Sequence, residues 1–184
     1  WFLDAPMHLW AKAHDQLEKT SHTLYEQYLI QQGQQIETLA KRYIESVLLP
    51  NTKDGQLLWQ PSYDDGQFQI RADALIHHKK ANVYDLYEIK SSTSVHTDHE
   101  YDLTFQVMLL ESILPISQMF ILHINKTYHH SERLNLEDFF ILEEISEKVE
   151  KRRGSVAQWR HQAWAITQKP SPKGVNQQDG NDDV

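Results

Sequence analysis

Two hydrophobic periods alternate along this chain, and the switches between them predict the order of its elements. Between residues 22 and 48, Leu29, Ile36, Leu39, Ala40, Tyr43, Ile44 and Val47 return at spacings of three, four and seven, the period of an amphipathic helix. Gly33 interrupts that pattern, and Pro50-Asn51 is expected to end it. An aromatic-rich stretch, Trp1–Lys12, comes first, with helix expected from Pro6 because proline's fixed φ suits a first helical turn.

The period then shortens to two. Gln56–Gln60 reads as a short strand closed by Pro61, and Asp64-Asp65-Gly66 as a turn. Gln67–His77 alternates as one strand, with Phe68, Ile70, Ala72, Ala74 and Ile76 on one face and Arg71, Asp73 and Leu75 on the other. Val83–Ser91 follows as a second strand, placing Tyr84, Leu86, Glu88 and Lys90 on one face, and His77–Asn82 joins the two as a hairpin loop. Beyond the polar loop Ser91–Asp98, helix is expected from about His99 to Leu114, before Pro115. Gln118–Ile124 is a further apolar strand, Phe139–Ile145 a strand end passing into a helix, and Glu147–Ile166 a charged helix.

This order predicts an α/β (α+β) domain over residues 1–166, with a mixed central sheet flanked by helices. Residues 167–184 read as a polar C-terminal tail, rich in Pro, Gly, Gln, Asn and Asp. No internal repeat is present.

Composition narrows the function more than the fold. The chain has 184 residues, enough for one domain with a core, and a hydrophobic content of 40%. It contains no cysteine, so these residues can form no disulfide, thiolate zinc site or iron–sulfur cluster, which fits a cytoplasmic home. No apolar run approaches the roughly 18–20 residues that span a bilayer, so no membrane association is expected. Asp4, Pro6 and His8 break the opening apolar residues, so no signal peptide is expected, and the start at Trp1 suggests a longer natural chain. The formal charge of −8 argues against a module that merely coats nucleic acid. It leaves room for a nuclease, because bound divalent cations offset acidic ligands.

The candidate chemistry lies on the two middle strands. Glu88 and Lys90 are two apart and project from one strand face. A hairpin register centred between Lys80 and Ala81 would set Asp73 directly opposite Glu88, although Lys-Ala is a weak turn former. Two carboxylates about 4 Å apart, at an effective dielectric near 20, repel by roughly 4 kcal/mol. A divalent cation converts that repulsion into binding, and hard oxygen ligands favour Mg²⁺ or Mn²⁺. Such a cation polarises a phosphoryl oxygen and acidifies a bound water. Lys90 would then orient that water or stabilise charge on the phosphate, and the carbonyl of Ile89 could also reach the metal. The same three side chains equally suit a cross-strand ion pair on a solvated face, and spacing alone does not choose between the two.

The surroundings are more specific. In FQIRADALI, YEIKSSTSV and HEYDLTFQVMLLE, with APMHLW, GQQIETLAKR and HINKTYHH…LNLEDFFILEEI around them, the chain resembles the PD-(D/E)XK nuclease superfamily over roughly residues 1–166. It is most similar to the RecB-like branch that includes the CRISPR adaptation exonucleases and a related bacterial family. The resemblance implies a restriction-endonuclease-like core and a Mg²⁺- or Mn²⁺-dependent deoxyribonuclease, an exonuclease on single-stranded or end-bearing DNA. It implies that Asp73 and Glu88 bind metal, that Lys90 is the catalytic lysine, and that Gln106 supports the site or contacts substrate. Glu37 falls where relatives carry a histidine or glutamate ligand. Ala72 stands in place of the family's proline, Leu110 in place of a tyrosine, and Ala5 in place of an iron–sulfur cysteine.

Arg71, on the Asp73 face, is expected to contact a phosphate, and Tyr128 to stack on a base. The alternative reading is a non-catalytic nuclease-fold protein that binds a protein partner in a defence or repair system.

Overall fold

The computed structural model describes residues 6–16, 21–129 and 133–170. The chain divides into two compact units: Ser21–Ala157, and a smaller one formed by Trp1–Thr20 with Gln158–Val184.

In the larger unit, α2 (Leu24–Tyr43) starts at Thr23, whose hydroxyl accepts from the Glu26 N–H while the Glu26 carboxylate accepts from the Thr23 N–H. This reciprocal pair satisfies two backbone donors that the first helical turn leaves open. The helix runs straight through Gly33, where a side chain would meet open space. It ends in a π turn (Ile44–Leu48) and a 3₁₀ turn (Leu49–Asn51) containing Pro50, so the expected stop is reached through two changes of pitch.

Five strands make the main sheet: β1 (Gly55–Trp59), β4 (Ala74–His78), β5 (Val83–Lys90), β6 (Ile116–Ile124) and β7 (Phe140–Glu144), in the order β1-β4-β5-β6-β7. The β5–β6 pair is parallel and the other three are antiparallel. The crossover between β5 and β6 carries α3 (Thr97–Leu110). The sheet is mixed and flanked by helices, as the hydrophobic pattern predicted.

Each sheet face has its own helical cover. Leu75, Leu86 and Ile121 pack with Leu103, Val107 and Leu110 of α3 and Val149 of α5 (Ser146–Thr167). Ala74, Ile76, Tyr87, Ile89 and Leu122 pack on the other side with Ala40, Tyr43 and Ile44. The central strand β5 is consequently buried from Asp85 through Ile89, charged residues included.

One expectation fails in an informative way. Gln67–His77 is not a single strand. Gln69–Arg71 forms β3, which pairs with β2 (Ser62–Asp64) in a separate two-stranded sheet, and the main sheet resumes only at Ala74. The faces change phase across the break: Ile70 and Ala72 share their cluster with Leu75, not with Ala74 and Ile76. Alternation could not show this, because Ala72, Ala74, Leu75 and Ile76 are all fully buried and a two-sided strand carries no polar face to read. The turn at Asp64–Gly66 is present and reverses the chain between β2 and β3. The Asp64 carboxylate accepts from the Gly66 N–H, and Gly66 takes φ +86°.

Two other bounds move. The helix expected to reach Leu114 ends at Leu110, and a turn covers the gap, with Ile113 N–H donating to the Leu110 carbonyl. A short helix, α4 (Leu136–Phe139), precedes β7 and was not anticipated.

In the smaller unit, α1 (Pro6–Ala13) begins at Pro6 as expected, and the His14 imidazole donates from Nε2 to the Thr167 carbonyl at 2.9 Å. The opening residues Trp1–Ala5 and the greater part of the polar tail, 171–184, lie outside the described residues. Among the described residues, no helix is long and apolar enough to cross a membrane.

Candidate active site

The site begins at the break between β3 and β4. The pairing of β4 with β5 runs from Ala74 opposite Tyr87 to His78 opposite Val83, a register centred between Lys80 and Ala81. Carried one residue further, it sets Asp73 opposite Glu88. The ladder stops at Ala74, so the Ile89 N–H has lost the backbone acceptor that a longer β4 would have offered. The Asp73 carboxylate takes that place and accepts from Ile89 through Oδ2 at 2.8 Å.

That bond does not make Asp73 a comfortable anion. Burial, followed by the charge of Glu88, pushes its carboxyl up to about 7; Glu37 pushes in the same direction, and the Ile89 N–H and Lys90 only partly oppose it. Glu88, Glu37 and Lys90 are therefore close enough for Asp73 to feel their charges.

Glu88 is buried on the central strand and held at both oxygens. Its Oε1 lies 3.0 Å from the Lys90 ammonium, and its Oε2 accepts from the Gln106 amide at 2.7 Å. Lys90 also reaches Asp102 at 3.1 Å. Burial pulls the Lys90 ammonium down, but Glu88 and Asp102 outweigh burial and the net shift is upward. Lys90 is thus a fixed cation, suited to stabilising negative charge rather than to removing a proton. Asp102 and Gln106 are four apart on α3 and so share the helix face that meets β5.

The carbonyl Oε1 of Gln106 is buried and has no hydrogen-bond partner. An orphaned acceptor of this kind calls for a donor such as an ordered or ion-bound water. Two neighbouring carboxylates, with that of Asp73 pushed up by burial and by the charge of Glu88, beside an acceptor that lacks a donor, fit a small hydrated cation. Among the described residues, no group of three or more His, Cys, Asp or Glu side chains is set to hold a metal ion. A cation here would therefore rest on Asp73 and Glu88, with water in most other positions, which suits Mg²⁺ and Mn²⁺ better than zinc.

The remaining expected residues fall into place unevenly. Glu37 comes from α2, on the opposite layer; its charge reaches Asp73, and its Oε2 accepts from the Gln60 amide at 3.0 Å. Ile89 contributes its N–H to the site. Arg71 is exposed at the end of β3, two residues from Asp73. Tyr128 packs edge-on against Phe139 with centroids 5.1 Å apart, and its hydroxyl is buried without a partner. Among the described residues, no hydrogen bond ties Arg71 or Tyr128 to the carboxylates. Gln60 and Asp102 were not singled out from the sequence. The spacing of Asp102 from Gln106 was a readable signal, whereas nothing local marked Gln60.

No family model matches the chain, and no curated protein does. Among solved structures, the crystal structure of SSO0001 is similar over 90% of this chain and 88% of its own, at 15% identity and a TM-score of 0.42. A likeness at that level says nothing about function.

Proposed function

We propose that this chain is a divalent-metal-dependent nuclease that hydrolyses phosphodiester bonds in DNA, acting as an exonuclease on single-stranded or end-bearing substrates. The observation that carries the proposal is the state of Glu88. It is a buried carboxylate gripped by Lys90 and Gln106 and set beside a second, half-buried carboxyl, Asp73, raised to about 7. A merely structural ion pair needs only Glu88 and Lys90. Adding Asp73 to it costs stability, and such a cost is offset when a cation binds.

When bound, Mg²⁺ or Mn²⁺ would supply Lewis-acid polarisation of the phosphate and a more acidic water. The chain's own residues do the rest. Asp73 and Glu88 would hold the ion, Gln106 would fix Glu88 and accept from a water through Oε1, and Lys90 would stabilise charge on the phosphoryl group. In the reaction a water oxygen bonds to phosphorus and the bond from phosphorus to one ester oxygen breaks. The protons of the water are divided between the new phosphate and the freed hydroxyl. The resemblance to RecB-like nucleases supports DNA and end-directed cleavage; the geometry supports the ion and the hydrolysis.

The test is cleavage of single-stranded and linear duplex DNA by the purified protein with Mn²⁺, beside a Lys90→Ala variant checked for folding by circular dichroism. Metal-dependent cleavage that disappears in the variant is expected. Undiminished cleavage by Lys90→Ala would overturn the proposal. Glu88-independent Mn²⁺ binding with no cleavage would favour the non-catalytic, partner-binding reading.

A further inference from the structure

We infer that Lys41 and Trp59 form a subsite for a backbone phosphate of single-stranded DNA, beside Asp73 at the same end of the sheet. The inference rests on the nuclease reading above and deepens it by naming where the substrate strand is held.

Trp59 is the last residue of β1 and pairs with Ala74, the residue after Asp73. The next residue, Gln60, donates its backbone N–H to the Asp73 carbonyl at 2.9 Å. Trp59 also packs on the core cluster that α2 shares with the sheet. Lys41, in the last turn of α2, places its ammonium 5.6 Å from the centroid of the Trp59 ring, within the range of a cation–π contact. Glu37, one turn earlier on the same helix, is close enough for Asp73 to feel its charge.

The pair is unusual in what it leaves unpaired. Glu37 and Lys41 are four apart with the acid first, the order that best favours an ion pair on a helix, and Glu45 follows four residues after Lys41. Neither ion pair forms. Glu37 accepts from Gln60 instead, and Lys41 lies over the ring. Among the described residues, the Lys41 ammonium has no carboxylate within ion-pair distance, although Lys41 is half-buried. The indole N–H of Trp59 donates to no protein acceptor, and it is not buried. Two residues in contact thus each keep an unused donor, and one of the two is charged.

The basic residues around α3 and α5 differ. Lys90 is held by Glu88 and Asp102, Lys148 lies near Glu100 and Glu143, and Arg152 and Arg153 hold Glu100 and Glu111. A phosphate would have to compete with those carboxylates. At Lys41 the ring attracts the cation through its quadrupole and does not neutralise it, so the charge stays available to an anion. A half-buried ammonium without a counter-ion has also lost solvation, which a phosphate restores through a charge-assisted hydrogen bond. In a chain of formal charge −8, such a cation beside the acidic site gives an anionic strand a local point of attachment. A flexible single strand reaches a half-buried donor more readily than a stiff duplex does.

The experiment is Mn²⁺-dependent cleavage of a single-stranded oligothymidylate, with KM and kcat measured across a series of salt concentrations and a thermal melt for each variant. Lys41→Gln should raise KM about 10-fold at low salt and leave kcat within about twofold. Its plot of log KM against log salt should be shallower than that of wild type by about 0.7, the loss of one phosphate contact on a single strand. Lys41→Arg keeps the charge and the ring contact, and should stay within about threefold of the wild-type KM. Trp59→Phe keeps a ring but loses the indole N–H, and Trp59→Leu loses both, so KM should rise in that order; if the leucine variant melts much lower than wild type, the phenylalanine variant decides. Lys53→Gln makes the same change of charge just before β1, at the far end of that strand from Trp59, and should alter neither KM nor the slope. Wild-type KM and slope in Lys41→Gln, an equal loss in Lys53→Gln, or a loss confined to kcat would overturn the inference and leave the nuclease reading standing. Wild-type protein that does not cleave the oligonucleotide, or cleaves it no better than Glu88→Gln, overturns the nuclease reading and the inference with it.

Discussion

Gln106 on α3 donates its amide N–H to Glu88 on β5 at 2.7 Å, and the carbonyl oxygen of the same amide is buried with no donor of its own. Half of this side chain is satisfied by the protein, and the other half is not. The pair joins the helical layer to the central strand beside Lys90 and Asp73.

Replacing Gln106 with Leu should therefore loosen Glu88 rather than unfold the protein. The leucine fills similar space and removes an unpaired acceptor, but it strips the buried Glu88 of a donor, so a modest loss of about 1–3 kcal/mol is expected. Glu88 Oε2 loses its donor, and cleavage with Mn²⁺ should fall roughly 10–100-fold. Steady-state cleavage alongside a thermal melt checks this; a large drop in melting temperature would instead mark Gln106 as a packing residue.

Lys90 should separate binding from chemistry. Its ammonium sits between Glu88 and Asp102, and the net effect of these partners and of burial holds it charged. Lys90→Met removes a positive charge from beside the ion site, so Mn²⁺ should bind at least as tightly, while turnover should fall about 10²–10³-fold. Single-turnover cleavage at saturating Mn²⁺, compared with calorimetric affinity, distinguishes the two. Weaker Mn²⁺ binding in the variant would count against a charge-stabilising role.

How much of this could be read along the chain depends on what each residue's neighbours are. The helix of Leu24–Tyr43 and the strand of Val83–Lys90 were visible because their spacing is local and regular. The register that, continued one residue, sets Asp73 opposite Glu88 was visible as one among several, and β4 and β5 pair in it. The break at Ala72-Asp73 was hidden, because burial on both faces erases the alternation that would have shown it. Gln60 was hidden for another reason: its partners, Glu37 and Asp73, are brought to it by a helix and a strand from elsewhere in the chain. A contact made only by tertiary packing leaves no mark in local spacing.

The opposite face of β5 offers a control. Asp85 is buried, its Oδ2 lies 2.6 Å from His78 Nε2, and its Oδ1 accepts from the Gln118 N–H at 3.2 Å. It thereby ties β4 and β6 to the strand between them. Asp85→Ala leaves a backbone donor and a histidine without their acceptor, and should cost about 2–4 kcal/mol. Urea unfolding should show that loss while Mn²⁺ affinity, measured under folding conditions, stays at the wild-type value. A variant that lost affinity at unchanged stability would break the distinction between the two faces.

Asp73 is where stability and function should trade against each other. In the folded, metal-free protein its carboxyl is raised from 3.8 to about 7. A raised acid binds its proton more tightly when folded than when unfolded, so ionising it opposes folding. Its contribution to stability is present below the lower value, declines as pH rises between the two, and is gone above the upper one. Asp73→Asn keeps an oxygen for the Ile89 N–H and removes the repulsion with Glu88. In EDTA at about pH 8 the variant should be more stable than wild type by on the order of 2 kcal/mol, and the difference should vanish near pH 4. Adding Mn²⁺ should reverse the order, because a ligand that binds only the folded wild-type protein stabilises it by mass action and the asparagine removes one of the two main anionic ligands. Thermal melts at both pH values, with and without Mn²⁺, check the whole pattern. A variant less stable than wild type in EDTA at the higher pH would mean that Asp73 is held ionised by its hydrogen bond, and that the facing carboxylates carry no strain for a cation to relieve.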